Sequence, residues 1–294
     1  MQDVYLIDAS IYVFRSYYAS DSNYIAKNGE PINAVYGFTR FLTQFLHQTK
    51  ARHIACCFDE SLATSFRNEI EPSYKANREP APEDLKRQFK LCQSVADVLG
   101  VKTYADGYYE ADDLIGTLAE HHKQKGCRIH IVSADKDLAQ LVEKDDTWWS
   151  YGKDKALDAD EITKKFGVYP HQIADFLALT GDSVDNIKGV TGIGKKTAQY
   201  LLNHFKTLDE VLKRYKEIQF LSLRGAKTCQ KNIAKYGNNA SLAKKLTTIK
   251  TDVPLSEYTV ERRELSHTRI NGLLDYLQVG QLLRNRILDL GKNL

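Results

Sequence analysis

Acidic side chains recur in this chain at the ends of apolar runs. Asp8 follows VYLI (4–7), Asp59 follows HIACCF (53–58), and GYYEADD holds Glu110, Asp112 and Asp113. Asp135 and Asp137 follow RIHIVSA, and GDSVDN adds Asp182 and Asp185, read here as neighbours on a helical turn. Two like charges about 4 Å apart repel by roughly 4 kcal/mol at an effective dielectric near 20. Nine carboxylates gathered at one place therefore require cations. Hard divalent ions with oxygen ligands, Mg²⁺ with Mn²⁺ as its substitute, are the natural counterions. One Mg²⁺ takes one or two carboxylates, so nine suit two or more ions. A pair of such ions about 4 Å apart is the arrangement that cleaves phosphodiesters. Two plainer readings compete. Acids at a helix start can be caps for free N–H groups, and the set could be scattered over the surface. A calcium loop fails on DKDLAQ, because Ala139 and Gln140 stand where an acid and the glycine belong.

A second signal is GVTGIGKKTA (189–198), followed by the helical QYLLNHF. Gly189, Gly192 and Gly194 permit a tight turn whose N–H groups face outward as a cradle for phosphate. Lys195 and Lys196 supply charge beside it, and the segment reads as a sequence-independent grip on the DNA backbone. A nucleotide-binding P-loop is the rival reading, but Lys196 occupies the Ser/Thr position and no strand precedes it. A plain turn between helices is the other.

The polar stretch 60–83 (ESLATSFRNEIEPSYKANREPAPE) has no apolar stripe, and long connections of this kind are commonly functional or disordered. Its Arg67, Lys75 and Arg78, with Tyr74 beside Lys75, suit phosphate contacts and base stacking; a solvated loop is the alternative. Net charge is only +3, yet it becomes about +12 with the nine acids set aside, and about +7 with two Mg²⁺ bound. The metal-loaded chain is basic, as a holder of polyanions should be.

The elements that must position these residues alternate. Strand-like runs at 4–7, 53–58, 101–104, 128–132 and 147–151 are separated by helical patterns at 33–48, 84–99, 111–124 and 136–143. Such alternation implies an α/β fold with a mainly parallel central sheet flanked by helices. In these sheets ligands bind outside the carboxyl ends of the strands, where the acids stand. From about Asp158 the periodicity is helical, broken at Pro170 and at the glycines of 181–194. A length of 294 residues with 43 % hydrophobic content allows a real core. No apolar run approaches a membrane span, and the N-terminus does not read as a secretory signal. The five cysteines form no C-x-x-C, so a disulfide framework or zinc site is not expected and a cytoplasmic location is.

Taken together, LIDAS, the FD at 58–59, YKANR (74–78), GYYEADD, SADKDLAQLV and GDSVDNIKGVTGIGKKTA resemble, in order, the motifs of the 5′-nuclease superfamily. That family holds phage and bacterial 5′–3′ exonucleases, flap endonucleases and the nuclease domain of family-A DNA polymerases. The resemblance spans roughly residues 3–260. It implies a PIN/resolvase-like core over 1–165 with a helical arch segment at about 60–90. It further implies a helical DNA-binding region over 166–260, with a helix–three-turn–helix at about 183–205, and a C-terminal helical extension over 261–294. Asp8, Asp59, Glu110, Asp112 and Asp113 would hold one metal, and Asp135, Asp137, Asp182 and Asp185 would complete the second. Lys75 and Arg78 would steer the scissile phosphate from the foot of the arch. The GVTGIGKKTA segment would grip duplex DNA and could bind K⁺ through backbone carbonyls. Ala9 stands where the family usually has glycine, and Lys188 where proline is common, adding a phosphate contact. The implied activity is metal-dependent 5′–3′ exonuclease and flap endonuclease action on branched or 5′-ended DNA, by a stand-alone monomer. A non-cleaving junction-binding protein and a related metal-dependent ribonuclease are the alternatives.

Overall fold

Five short runs rich in branched and aromatic residues form one parallel sheet in the order β3-β2-β1-β4-β5. They are β1 (Asp3–Asp8), β2 (Ile54–Asp59), β3 (Lys102–Asp106), β4 (Arg128–Val132) and β5 (Thr147–Trp149). The computed structural model describes residues 1–19, 24–60 and 64–293. The register pairs Asp8 with Cys57, Asp59 with Asp106 and Ile7 with Val132. All strands therefore end at one edge, and the order reverses between β1 and β4, the switch point where such sheets bind ligands.

Side chains alternate along each strand, so the sheet has two buried faces. Val4, Leu6, Ala55, Cys57, Ile129 and Ile131 pack on one side, and Ile7, Ile54, Cys56, Phe58 and Val132 on the other. The second side is covered by α1 (Ala9–Ala19), α2 (Asn33–Thr49) and α4 (Glu83–Val98). The first side is covered by α5 (Ala111–Lys123) and then by the helices after residue 158. These are α6 (Ala159–Phe166), α7 (Ile173–Thr180), α8 (Lys195–Phe205), α9 (Leu208–Lys213) and α10 (Ala226–Thr247).

Residues 260–263 then cross the edge opposite the acids, with Ile54 N–H donating to Val260 O and Arg263 N–H to Gly100 O at 2.9 Å. This crossing returns α11 (His267–Leu277) and α12 (Gln281–Asp289) to the second side, where Ile270, Leu274, Leu277 and Ile287 are buried.

Two local expectations need correction. The stretch 136–143 is not an α-helix but a 3₁₀ turn over Asp137–Leu141. The arch segment is helical only over α3 (Phe66–Ile70) and from Glu83 onward, and Ser61–Ala63 lie outside the described residues. Pro72, Pro80 and Pro82 explain the break, because each removes an N–H and turns the residue before it away from helical geometry.

Candidate metal and nucleic-acid site

Parallel pairing carries Asp8 and Asp59 to the carboxyl edge on adjacent strands. Asp8 is almost wholly buried; its Oδ2 accepts from Ser133 Oγ at 2.7 Å and its Oδ1 from the Ile11 N–H at 3.4 Å. Asp59 accepts from the Ala111 N–H at 2.9 Å, which aims its carboxylate at the start of α5. After β4, Ser133 Oγ also accepts the Asp135 N–H at 2.9 Å, and Asp135 accepts the Asp137 N–H at 2.9 Å. One serine thus aligns acids from two strands. Neither Ser133 nor Ser10, whose hydroxyl accepts the Asp59 N–H at 2.9 Å, stood out in the sequence. Their only signal is position, one just past each strand end.

The electrostatics tie these acids together. Burial, then Asp59 and Asp135, push the Asp8 carboxyl up to about 7. Asp112 is driven well above its ordinary value by burial, Asp135, Asp8 and Asp59. Burial, Asp135, Asp182 and Asp185 raise Asp137 to about 8, with Lys136 opposing. Burial also raises Asp135, with the Asp137 N–H and Lys136 opposing and Asp185 adding to the rise. Acids on β1, β2, α5 and the β4 loop therefore feel one another, as the shared-pocket reading requires.

Among the described residues, no three acid, histidine or cysteine side chains already form a metal cage. The chain's own cations stand between the carboxylates instead. Lys75 Nζ lies 2.8 Å from Glu110 Oε1 and 4.0 Å from Asp185 Oδ2. Arg78 Nη2 is 2.5 Å from Asp185 Oδ1, and Lys136 Nζ is 2.5 Å from Asp182 Oδ2. Burial lifts Glu110, but Lys75 and Arg67 outweigh it and hold the carboxyl below its ordinary range. Asp137 Oδ1 is buried without a hydrogen bond, with Lys136 Nζ 3.4 Å away. An orphaned carboxylate oxygen among mutually repelling acids fits a hard divalent cation.

Asp182 and Asp185 do not lie on a helical turn. They sit in a tight turn closed by paired bonds between Asp182 and Ile187 at 2.9 and 2.7 Å. Gly181 at φ +76° ends α7, and Asn186 at φ +56° lets the turn close. The YKANR segment is clipped onto it. Lys75 N–H donates to Asp185 O at 3.0 Å, Asn77 Nδ2 to Ser183 O at 3.0 Å, and Asn186 Nδ2 to Ser73 O at 2.7 Å. Lys75 itself is held at φ +56°, a left-handed backbone that favours glycine, asparagine or aspartate.

Three expected site residues are placed elsewhere. Arg67, read as a DNA contact, is 2 % exposed and forks onto Asp113 at 2.7 and 2.8 Å. Its Nε donates to Leu246 O at 2.8 Å, so it ties α3 and α5 to the end of α10. Asp113, read as a metal ligand, has no exposure and also accepts the Lys250 N–H at 2.9 Å and the Glu110 N–H at 3.2 Å. It is a helix cap and a clamp, and the plainer reading holds for this acid. Tyr74, read as a stacking face, is 4 % exposed; its hydroxyl donates to Glu110 at 3.0 Å, and Lys75 covers its ring at 4.9 Å.

The glycine segment runs from the acid turn into α8, with Gly194 as its N-cap. Lys188, Lys195 and Lys196 are exposed and carry no ion pair among the described residues. Gly192 adopts φ +80°. Gly189 is needed for a different reason than phosphate approach. A Cβ there would lie 2.2 Å from Gly181 N and 2.5 Å from Leu179 O, where two backbone segments cross.

Residues 3–167 match the model of the 5′–3′ exonuclease N-terminal resolvase-like domain, and 168–269 that of the 5′–3′ exonuclease C-terminal SAM fold. A 5′–3′ exonuclease of Buchnera aphidicola is 36 % identical over 254 residues, covering 86 % of this chain and 88 % of that protein. One from Aquifex aeolicus is 33 % identical, covering 97 % and 95 %. Thermostable DNA polymerase I of Thermus caldophilus is 34 % identical, and the match spans 32 % of its length. Among solved structures, T5 5′-exonuclease with bound zinc superposes with TM-score 0.69 at 18 % identity, covering 99 % of each chain. The catalytic core of Rad2 with a DNA substrate gives 0.62 at 16 %, covering 98 % and 92 %. At those identities the likeness shows the fold.

Proposed function

The chain belongs to the 5′–3′ exonuclease family, and from that premise we propose that it hydrolyses phosphodiesters at flaps and 5′ ends of DNA using divalent metal ions. The observation that carries this is the carboxyl-edge pocket, where burial with Asp59 and Asp135 raises Asp8, and burial with Asp135, Asp8 and Asp59 raises Asp112. Protonation or a bound cation relieves such mutual repulsion, and clusters of buried acids with shifted pKa values mark functional sites. Asp8, Asp59, Glu110, Asp112 and Asp135 would hold one ion, and Asp137, Asp182 and Asp185 a second. When bound, Mg²⁺ or Mn²⁺ lowers the pKa of a bound water and offsets charge on the attacking and leaving oxygens.

The chain's own side chains prepare the rest. Ser133 and Ser10 fix the carboxylates, and the Arg67–Asp113 clamp holds the mouth of α5 against α10. Lys75 and Arg78 sit at the rim already paired to Glu110 and Asp185. With Glu110 and Asp185 engaged as metal ligands, Lys75 and Arg78 would be released to receive the scissile phosphate. The exposed Lys188, Lys195 and Lys196 beside Gly192 and Gly194 would take the duplex backbone, with K⁺ held by turn carbonyls. We assign residues 1–165 to the nuclease core, 166–260 to duplex binding and 261–294 to bracing the sheet's second face. No described helix is long and apolar enough to cross a membrane. The free cysteines, four of them buried, suit a reducing cytoplasm.

A 5′-labelled flap duplex incubated with Mg²⁺ tests the proposal. Wild type should release the flap, and Asp135→Ala should bind the same DNA while cutting at least a hundredfold slower. Binding without cutting by both proteins would favour a junction-binding module; a preference for single-stranded RNA would favour a ribonuclease.

A further inference from the structure

Helix α10 carries five lysines and no acid in its 22 residues. Lys244 is matched by Asp175 and Asp209, each at 3.0 Å. Lys227, Lys231 and Lys235 are different. They are exposed, they stand four residues apart on one helix face, and none has an ion-pair partner among the described residues. Like charges at that spacing weaken a helix, so the row runs against the stability of α10 itself. Cys229, Ile233 and Ala240 hold the opposite face in the core, which fixes the row's direction.

Its location is also fixed. A Cβ on Gly192 would lie 2.7 Å from Asn232 Nδ2, so the GVTGIGKKTA turn abuts α10 in the middle of the row. Lys195 and Lys196, both exposed, follow that turn as the first residues of α8. From Lys227 to Lys235 the helix rises about 12 Å. At about 3.4 Å of axial rise per phosphate on one strand, that length faces three or four phosphates.

We propose that Lys227, Lys231 and Lys235 form a second phosphate rail, carrying the duplex arm of the substrate past the glycine turn along α10. The inference rests on the nuclease reading and extends it to a surface that the motifs do not include. Its occupant is double-stranded nucleic acid, since a rigid row matches a regular backbone better than a flexible single strand.

Equilibrium binding of the full chain to a fluorescent 5′-flap duplex, in EDTA and from about 50 to about 300 mM KCl, tests the rail. Each phosphate contact contributes about 0.9 to the slope of log affinity against log salt. The K227Q/K231Q/K235Q triple variant should lose about 2 to 3 from that slope and bind duplex at least tenfold more weakly at about 100 mM KCl. Its affinity for single-stranded DNA should stay within about twofold, and its melting temperature should match wild type. A K27Q/K90Q/K153Q variant, exposed lysines elsewhere, should keep the full slope. An unchanged slope in the α10 variant, with wild type binding steeply, overturns the rail and leaves the nuclease reading standing. A wild type that binds no flap overturns both.

Discussion

Arg67 and Asp113 face each other as a two-pronged pair, Nη1 to Oδ2 at 2.7 Å and Nη2 to Oδ1 at 2.8 Å. Removing one partner of such a buried pair costs about 3–5 kcal/mol, because the other charge is left uncompensated. Arg67→Ala should therefore lower the melting temperature by about ten degrees or more. Arg67→Lys should recover little, since an ammonium cannot fork onto a carboxylate. The salt slope of DNA binding should stay at the wild-type value in the folded fraction. A lowered slope would mean that Arg67 reaches phosphate after all.

The acid pocket sets a pH dependence. Burial and neighbouring acids raise Asp8 to about 7 and Asp137 to about 8. A carboxyl raised on folding adds stability below its unfolded pKa, near 4, and that contribution is lost as pH climbs through the folded value. Metal-free protein should thus melt several degrees lower at about pH 8.5 than at about pH 5.5. Glu110, held low by Lys75 and Arg67, acts oppositely, but only below its ordinary range. Thermal melts in EDTA across this window check the sign.

Divalent ions should reverse that loss. Millimolar Mg²⁺ should raise the melting temperature most at high pH, where the carboxylates are ionised; an ion at a hundred times its dissociation constant adds about 2.7 kcal/mol. Asp8→Asn and Asp135→Asn should blunt the rise. Asp113→Asn should start from a lower melting point yet keep the full Mg²⁺ increment, because Arg67 already occupies that carboxylate. Melts with and without Mn²⁺ separate the two classes of acid.

The glycines of the turn should divide by geometry. Gly189→Ala places a methyl 2.2 Å from Gly181 N and should destabilise the protein by several kcal/mol while weakening duplex binding. Gly194→Ala meets nothing within 4 Å, so its melting temperature should barely move. Equal effects at both positions would show that the crossing of 181 and 189 does not constrain the turn.

What the sequence determined by itself was the alternation of strands with helices and the placing of acid at the strand ends. Both follow from local chemistry. Short branched runs such as RIHIV become buried parallel strands over Arg128–Val132 as spaced, and each parallel strand must deliver its following residues to the same edge. The glycine-and-lysine turn before α8 was legible for the same reason, since left-handed backbone at Gly192 is written in residue type.

Only the tertiary structure decided which charged groups remain available. Arg67 and Tyr74 read as DNA contacts because their segment is polar, yet both are buried, Arg67 on Asp113 and the end of α10 and Tyr74 against Glu110 and Asp185. Asp113 matched its neighbours in type and was withdrawn by an arginine 46 residues away. Lys227, Lys231 and Lys235 did not stand out in the sequence, and that they have no ion-pair partner among the described residues is settled by the fold. The physical reason is common to all of these. A charge's role depends on what stands within about 4 Å of it, and residues distant in sequence set that.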